Sequence, residues 1–321
     1  MRLIQRKAPS PLAYPLAFAG SLATVLLVVF AASGDVDTAI GVLSRVDLGF
    51  LARVFVVVGL VGLSGVLSYR SGLWNIGQEG QAIVGTLAAV SAKNAAEGLL
   101  LAAAAAGAWT AVPALLRSFL GVNEAVTTFL TALAAVYVAR YFVETVLKDP
   151  TKKGFVVTVE APPMAVVYAE LLLLAVLTAV VVLYTSRFGL GLRLLASGED
   201  VARYAGGRPR LLVFTAIVLS GVVAGLAGAV EIMTRDSGRY LTLQQVSSGF
   251  GLYGIAAAWL GGLHPLGVAV SSLYIAWLYE VAVNLKTAAN FPALVANALI
   301  GIALLWGLAG HLLYKYRVVW R

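Results

Sequence analysis

Long apolar runs separated by short polar breaks fill most of this chain. They lack the strict alternation of polar and apolar positions that membrane β-strands require. Most runs approach the ~20 residues that a helix needs to cross a bilayer. The pattern predicts an all-α, polytopic membrane protein with about ten transmembrane helices. The predicted spans are Ala13–Ala32, Leu48–Ser68, the segment after Gln81 up to Lys93, Glu97–Leu116, Gly121–Leu147, Met164–Tyr184, Leu211–Met233, Gly249–Gly262, Leu266–Val283 and Pro292–Tyr314.

A polar, glycine-rich segment from Trp74 to Gln81 lies between the second and third spans. Asn75 is expected to cap a helix that begins at Ile76, with Gln78 reaching back as a capping-box partner. Glu79 falls in the first turn, where the helix dipole favours a carboxylate. A charge at the centre of a bilayer costs at least ~2.5–3.5 kcal/mol, so this polar segment should face protein or a watery cavity. We therefore expect a broken helix beside a solute path, with a re-entrant turn carrying a solvated glutamate as the alternative.

Two further segments depart from simple spans. Gly249–Gly262 is too short to cross ~30 Å alone and is expected to be broken or re-entrant. Gly121–Thr128 is a second polar helix start, with Asn123 as the expected cap and Glu124 in the first turn. The glycine-rich starts of spans three and eight fall at similar places, which suggests an inverted repeat of spans 2–5 and 7–10. Chance similarity between glycines is the alternative.

The formal charge of +8 lies in clusters between or beyond the apolar runs, and not on one soluble face. The clusters are Arg2–Lys7, Arg187–Arg210 and Lys315–Arg321. This is the positive-inside pattern of membrane proteins, and nucleic-acid binding is not expected. Ten crossings from a cytoplasmic N-terminus would put all three clusters on one side. We thus expect a single transmembrane domain over 1–321, cytoplasmic termini and a cytoplasmic segment at about 187–210.

Several chemistries find no support in the sequence. It contains no cysteine, and its two histidines, His264 and His311, are far apart, so no metal site is expected. No P-loop, nucleophile elbow or zinc-protease motif is present, so we predict no catalytic residues and no enzyme activity. Most ionisable residues within or near spans lie close to predicted ends, where snorkelling is expected. The ionisable residues within or near spans, of which most but not all lie near ends, include Arg53, Arg140, Glu144, Glu170, Glu231 and Glu280.

Five blocks, in order across about residues 60–285, resemble the permease subunits of bacterial and archaeal ABC importers for nucleosides and simple sugars. They are Asn75–Gln81, Gly121–Glu124, Phe188–Gly206, Leu219–Glu231 and Gly249–Gly261. The wider superfamily also includes branched-chain amino-acid permeases. The Asn-Glu pair at 123–124 and the Arg-Tyr-Ala-Gly segment at 203–206 are closer to the nucleoside branch.

The resemblance implies a multi-pass plasma-membrane subunit that works with an ATP-binding cassette subunit, a second permease copy or paralogue, and an extracellular solute-binding protein. ATP and Mg²⁺ would bind the partner ATPase, with no cofactor in this chain. Leu194–Gly206 would be the coupling helix that docks on the ATPase, and an ordinary basic loop bound to anionic lipid is the alternative. The helix looks two residues shorter than in relatives. Its expected coupling residues are Ser197, Gly198, Glu199, Asp200, Arg203, Tyr204 and Gly206.

The sequence thus favours a permease for nucleosides or related simple sugars. A branched-chain amino-acid permease and a standalone secondary carrier are the alternatives. Amide side chains both donate and accept hydrogen bonds, which suits a neutral hydroxylated solute. The expected pathway or gate residues are Asn75, Gln78, Glu79, Gln81, Asn123 and Glu124. Helix capping alone would also account for Asn75 and Asn123.

Overall fold

The computed structural model describes residues 2–5, 10–236, 238–289, 291–292 and 294–319. Arg6, Lys7 and Arg321 of the predicted basic clusters lie outside these residues. The described chain is mainly helical, which confirms the predicted class. In order, the helices are α1 Ala13–Ser33, α2 Val36–Ser44, α3 Leu48–Tyr69, α4 Gln78–Val90, α5 Ala95–Leu120, α6 Glu124–Glu144, α7 Val166–Thr185, α8 Arg187–Ala196, α9 Glu199–Tyr204, α10 Pro209–Met233, α11 Phe250–Leu260, α12 Pro265–Ala289 and α13 Val295–Lys315.

Eight helices among the described residues are long and apolar enough to cross a membrane: α1, α3, α5, α6, α7, α10, α12 and α13. With 13 residues in α4 and 11 in α11, these two helices are shorter than a full span of ~20 residues. They occupy the two places where the sequence predicts broken helices. The chain is therefore a multi-pass membrane protein that also carries two short apolar helices.

Three local features differ from the sequence prediction. The polar stretch between the first two spans contains α2, because Asp35 accepts a hydrogen bond from the Thr38 backbone N–H at 2.7 Å and caps it. The segment at 194–206 is not one helix, since α8 and α9 are separated around Gly198. Two short strands, β1 Arg2–Gln5 and β2 Tyr316–Val319, pair antiparallel.

The chain divides into two compact units, and α3 and α11 each contribute residues to both. The first unit comprises residues 56–254 and is built on α4, α5 and α10, which all pack against one another. Their backbones approach closely because glycines face each other: a Cβ on Gly85 would lie 2.1 Å from the carbonyl oxygen of Gly225. A Cβ on Gly228 would similarly lie 2.0 Å from the Ala82 carbonyl oxygen. Small residues at such positions are the usual means of tight helix packing in membranes.

The second unit comprises residues 1–55 and 255–321, here called the terminal-segment unit. Its α1 packs on α13, and α12 packs on α13 and α2. Trp306 donates to the Thr24 hydroxyl at 3.1 Å, and its ring lies against Gly20. Glu280 is buried and accepts a hydrogen bond from the Asp47 backbone N–H, so the expectation that Glu280 snorkels to an interface is wrong.

Candidate functional site

The break between α3 and α4 covers residues 70–77, and Asn75 is its fully buried centre. The Asn75 amide donates to Gln81 Oε1 at 3.0 Å and to Ser220 Oγ at 2.8 Å. The Gln81 amide donates back to Asn75 Oδ1 at 2.9 Å. Asn75 Oδ1 also accepts from the Gly77 backbone N–H at 3.1 Å. Helix α4 nevertheless begins at Gln78, two residues after the expected start, with Gly77 as its N-cap, so the cap prediction for Asn75 is wrong.

Gln78 is also buried and does not act as a capping-box partner. Its amide donates to the Val61 carbonyl at 3.3 Å and to Ser64 Oγ at 3.0 Å. The Tyr69 hydroxyl donates to the Asn75 carbonyl at 2.8 Å and lies 3.3 Å from Gln78 Oε1. Gln78 thus links the start of α4 to α3 through hydrogen bonds.

Ser64 and Ser220 join the two halves of this cluster. The Ser64 hydroxyl donates to the Ser220 carbonyl at 2.7 Å, and the two hydroxyl oxygens are 2.9 Å apart. We call the set formed by Ser64, Tyr69, Asn75, Gln78, Gln81 and Ser220 the amide–hydroxyl network. It links α3, the break, α4 and α10. No side-chain amide atom of the network lacks a partner within the described chain. A buried polar network stabilises a fold only under that condition.

Glu79 connects the two short helices. One carboxylate oxygen accepts from the Gly249 backbone N–H at 2.9 Å and from the Ser247 hydroxyl. The other accepts from the Gly251 N–H at 2.6 Å. Glu79 lies in the first turn of α4, as predicted, and caps the N-terminus of α11, which the sequence did not indicate. A carboxylate is favoured there because it meets the unpaired amides and the positive end of the α11 dipole.

A small cavity of about 20 Å³ lies beside this cap, with room for about one water molecule. Its lining includes Glu79, Thr86 and Glu231. Glu231 is buried and forms an ion pair with Arg235, with 2.9 Å between Nη2 and Oε1. The expectation that Glu231 is exposed at an interface is therefore wrong. The four-residue spacing of Glu231 and Arg235 was the available signal, although Arg235 lies just beyond Met233, the last residue of α10.

Asn123 and Glu124 lie apart from the amide–hydroxyl network. Asn123 caps α6 by accepting from the Val126 N–H at 3.1 Å, which confirms the predicted cap. Glu124 accepts from the Trp74 backbone N–H at 3.1 Å. Its other oxygen lies 3.0 Å from Arg117 Nε. Glu124 therefore connects the C-terminal end of α5 to the break before α4.

The predicted coupling residues 197–206 are brought together around α9. Glu199 lies 3.1 Å from Arg117 Nη2, and Asp200 lies 2.7 Å from Arg203 Nη1. Gly198 and Gly206 have positive φ angles of 135° and 81°, which glycine adopts without strain. Ser197 caps the C-terminal end of α8 through its backbone N–H. Tyr204 is 95% exposed, so its ring projects from the end of α9.

A continuous set of polar contacts therefore runs from α9 to the break. Glu199 binds Arg117, Arg117 pairs with Glu124, and Glu124 accepts from the Trp74 N–H. Trp74 adjoins Asn75 of the amide–hydroxyl network. Arg117 directly follows the predicted span Glu97–Leu116, and nothing in the sequence was a reason to assign it a role. Charged side chains thus link α9 to the break before α4.

Comparison with known proteins identifies relatives over most of the chain. Residues 48–308 match the family described as branched-chain amino acid transport system, permease component. A guanosine ABC transporter permease protein of Bacillus subtilis is 31% identical over 268 residues, which cover 77% of this chain and 76% of the relative. A glucose ABC transporter permease protein of Haloferax volcanii is 29% identical, with 81% and 75% covered. A nucleoside ABC transporter permease protein of Lactococcus lactis is 24% identical, with 69% and 67% covered.

Proposed function

The chain belongs to the permease-component family of branched-chain amino-acid transport systems, and from that premise we propose that it is the pore subunit of an ATP-driven importer for nucleosides or related simple sugars. The observation that carries the proposal is the similarity, over most of its length, to permeases named for guanosine, glucose and nucleosides. The family description itself names amino acids, so a branched-chain amino-acid permease is the second candidate. A plasma-membrane location in a bacterium or archaeon follows from the same relatives.

The pore would cross the membrane ten times within a single domain over 1–321, with α4 and α11 as half-length crossings. Two observations support this topology. The pairing of β1 with β2 brings residues 2–5 and 316–319 together, which agrees with their lying on one side of the membrane after an even number of crossings. The two short helices follow α3 and α10, the second and seventh spans, as expected for an inverted repeat of spans 2–5 and 7–10. Both termini and the segment 187–210 would then be cytoplasmic.

Asn75, Gln78 and Gln81 would form a closed gate, because their hydrogen bonds are made within the protein and not to solvent. Opening α4 away from α10 would release amide groups that can bind a neutral hydroxylated solute. Glu79 would hold the two half-length crossings together while this happens. Asn123 and Glu124 would act at the inner end of the path, through contacts with Arg117 and Trp74.

The motor would be a separate ATP-binding cassette subunit, because the sequence holds no P-loop. ATP and Mg²⁺ would bind there. Its groove would receive α9, where the exposed Tyr204 offers an aromatic anchor of the kind enriched in protein interfaces. A second permease subunit, identical or paralogous, would complete the pore. A solute-binding protein would deliver the solute from outside.

Reconstitution of the assembled complex in vesicles tests the proposal. Vesicles that contain this chain, its ATPase and the second permease should take up radiolabelled nucleoside only with internal ATP and the external binding protein. Uptake of leucine in place of nucleoside would favour the amino-acid candidate. Uptake by this chain alone without ATP would contradict the proposal and indicate a secondary carrier.

A further inference from the structure

A basic cavity of about 580 Å³ lies where α5 ends and α10 begins, next to α9. Four arginines line it, whereas Glu199 is the one acidic residue in its described lining. The arginines are Arg117, Arg203, Arg208 and Arg210. Because α5 and α10 are membrane-spanning helices, the cavity lies at the level where a bilayer has its headgroups. The cavity thus combines a strong positive charge with a position at the membrane surface.

Two of these arginines are available to an added anion. Arg117 is already paired with Glu124 and Glu199, and Arg203 with Asp200. Within the described chain, Arg208 and Arg210 form no ion pair with a carboxylate.

The helix end supplies a second source of positive potential. Arg208 is the N-cap of α10 and Pro209 its first residue, and in the part of the chain that the structure describes the N-cap side chain makes no capping hydrogen bond to the amides that follow. These amides and the positive end of the α10 dipole therefore face the region between Arg208 and Arg210. An anion is stabilised at such a helix end.

The lining also has an apolar part. Phe119 and Val213 contribute to it, and the Arg210 guanidinium lies 6.0 Å from the centre of the Phe119 ring. A phosphate carried on an apolar or glycerol body suits this combination better than a bare inorganic ion. Arginine is well matched to phosphate because its planar guanidinium can donate two parallel hydrogen bonds.

We propose that this cavity binds the phosphate group of an anionic ligand, either a phospholipid headgroup or a soluble phosphate compound, through Arg208, Arg210 and the N-terminus of α10. The bound phosphate would neighbour Arg203 of α9 and so connect the segment after α8 to the spanning helices. This site goes beyond the proposed transport function, although Arg117 in its lining also pairs with Glu124.

Lipid retention by the full-length chain tests the site. The chain is placed in nanodiscs of phosphatidylcholine with and without phosphatidylglycerol, and retained lipid is counted by native mass spectrometry. The Arg208→Gln, Arg210→Gln double variant should bind phosphatidylglycerol at least about tenfold more weakly, since it loses the charge-assisted hydrogen bonds from both guanidinium groups to the phosphate. Both side chains are exposed, so the variant is expected to fold.

A matched control removes two cations elsewhere. The Arg187→Gln, Lys315→Gln variant loses the same charge outside the cavity and should retain phosphatidylglycerol as the unmodified chain does. An equal loss in both variants would mean general attraction to an anionic surface and would overturn the proposal. A further outcome concerns the ATPase. If the ATPase co-purifies with the unmodified chain but not with the cavity variant, while the variant still binds lipid, the cavity is a protein-docking surface and the proposal is overturned.

A second arm separates the two ligand sources. In phosphatidylcholine nanodiscs, radiolabelled glycerol phosphate and inorganic phosphate are titrated by equilibrium dialysis. Binding that is lost in the cavity variant would support the site and identify a soluble phosphate compound as sufficient. Phosphatidylglycerol retention without soluble binding would support a lipid headgroup. Absence of both would refute the site.

Discussion

The guanidinium of Arg117 lies 3.1 Å from the carboxylate of Glu199, although the two residues are 82 positions apart in the chain. This contact joins the end of α5 to α9, the segment expected to receive the motor. Because Arg117 also pairs with Glu124, it connects α9 to the start of α6 and to the break before α4. Arg117 thus joins three elements, although local sequence patterns give it no role.

Arg117→Gln should uncouple the motor from the pore. Its ion pairs are partly exposed, and such pairs contribute about 0.2–1 kcal/mol to stability, so the fold should persist. Solute-stimulated ATP hydrolysis in the reconstituted complex should fall about tenfold or more, as loss of a coupling free energy of about 1–3 kcal/mol implies. Lys152→Gln is the matched control, because its pair with Glu160 is similarly exposed but distant from α9 in sequence. Equal effects of the two substitutions would refute the role of Arg117.

Glu79→Gln should weaken the hydrogen-bonded contact between α4 and the N-terminus of α11. The carboxylate accepts hydrogen bonds from two backbone N–H groups and one hydroxyl. A glutamine side chain has only one accepting oxygen, and its amide NH2 group would face one of these donors. Leaving a donor unpaired costs about 1–3 kcal/mol, which lowers thermal stability modestly. ATP-dependent uptake should fall more than assembly does.

Glu97→Gln is the control for this substitution. Glu97 also lies in a first turn and accepts from the Lys93 N–H, but on the exposed surface of α5. The Glu97→Gln substitution should leave thermal stability and uptake unchanged. Unchanged uptake by Glu79→Gln, measured in complexes of equal yield, would remove Glu79 from the pathway.

The sequence predicted features that depend on near neighbours. The spans, the α6 cap at Asn123 and the position of Glu79 in a first turn follow from periodicity and capping rules. These rules failed at Asn75, because they do not reveal its buried contact with Ser220, 145 residues away, and α4 begins two residues later than they predict. Glu280 was misassigned because its partner, the Asp47 backbone N–H, is 233 residues away. Glu231 was misassigned although its partner Arg235 is only four residues away, because a position near a span end does not reveal an ion pair.

Asn75 and Gln81 should be energetically coupled. Their side chains exchange two hydrogen bonds in the buried network. Replacing Asn75 with leucine leaves the buried Gln81 amide without its partner, and replacing Gln81 removes two hydrogen bonds of Asn75, which keeps those with Ser220 and Gly77. Each loss costs about 1–3 kcal/mol, whereas replacing both residues removes the mismatch within the pair. The double variant should therefore be more stable than the sum of the singles by about 0.5–3 kcal/mol, the range for residues in direct contact. Thermal unfolding in detergent gives the four values, and additivity would show that the pair does not act as a unit.

Gly85→Ala should disrupt the packing of α4 against α10. The new Cβ would lie 2.1 Å from the Gly225 carbonyl oxygen, and neither backbone can move without separating the helices. We expect a destabilisation of about 1–3 kcal/mol, typical of overpacking, with loss of monodisperse protein in size-exclusion chromatography.

Gly301→Ala serves as its control. Gly301 lies within α13, and a Cβ added there would meet no atom within 4 Å. Alanine should therefore be neutral or stabilise the helix by about 0.5–1 kcal/mol. If both variants behave alike, the close approach of α4 and α10 is not a determinant of stability.

Single cysteines should report which side of the membrane each loop faces, because the chain has no cysteine to remove first. Phe155→Cys lies in the loop before α7 and is highly exposed, so a membrane-impermeant maleimide should label it in intact cells. Tyr204→Cys, on α9, should be labelled only after permeabilisation. Leu174→Cys, exposed on the apolar helix α7, should resist labelling in both conditions because lipid would cover it. Labelling of Tyr204→Cys in intact cells would put α9 outside and rule out contact with a cytoplasmic ATPase.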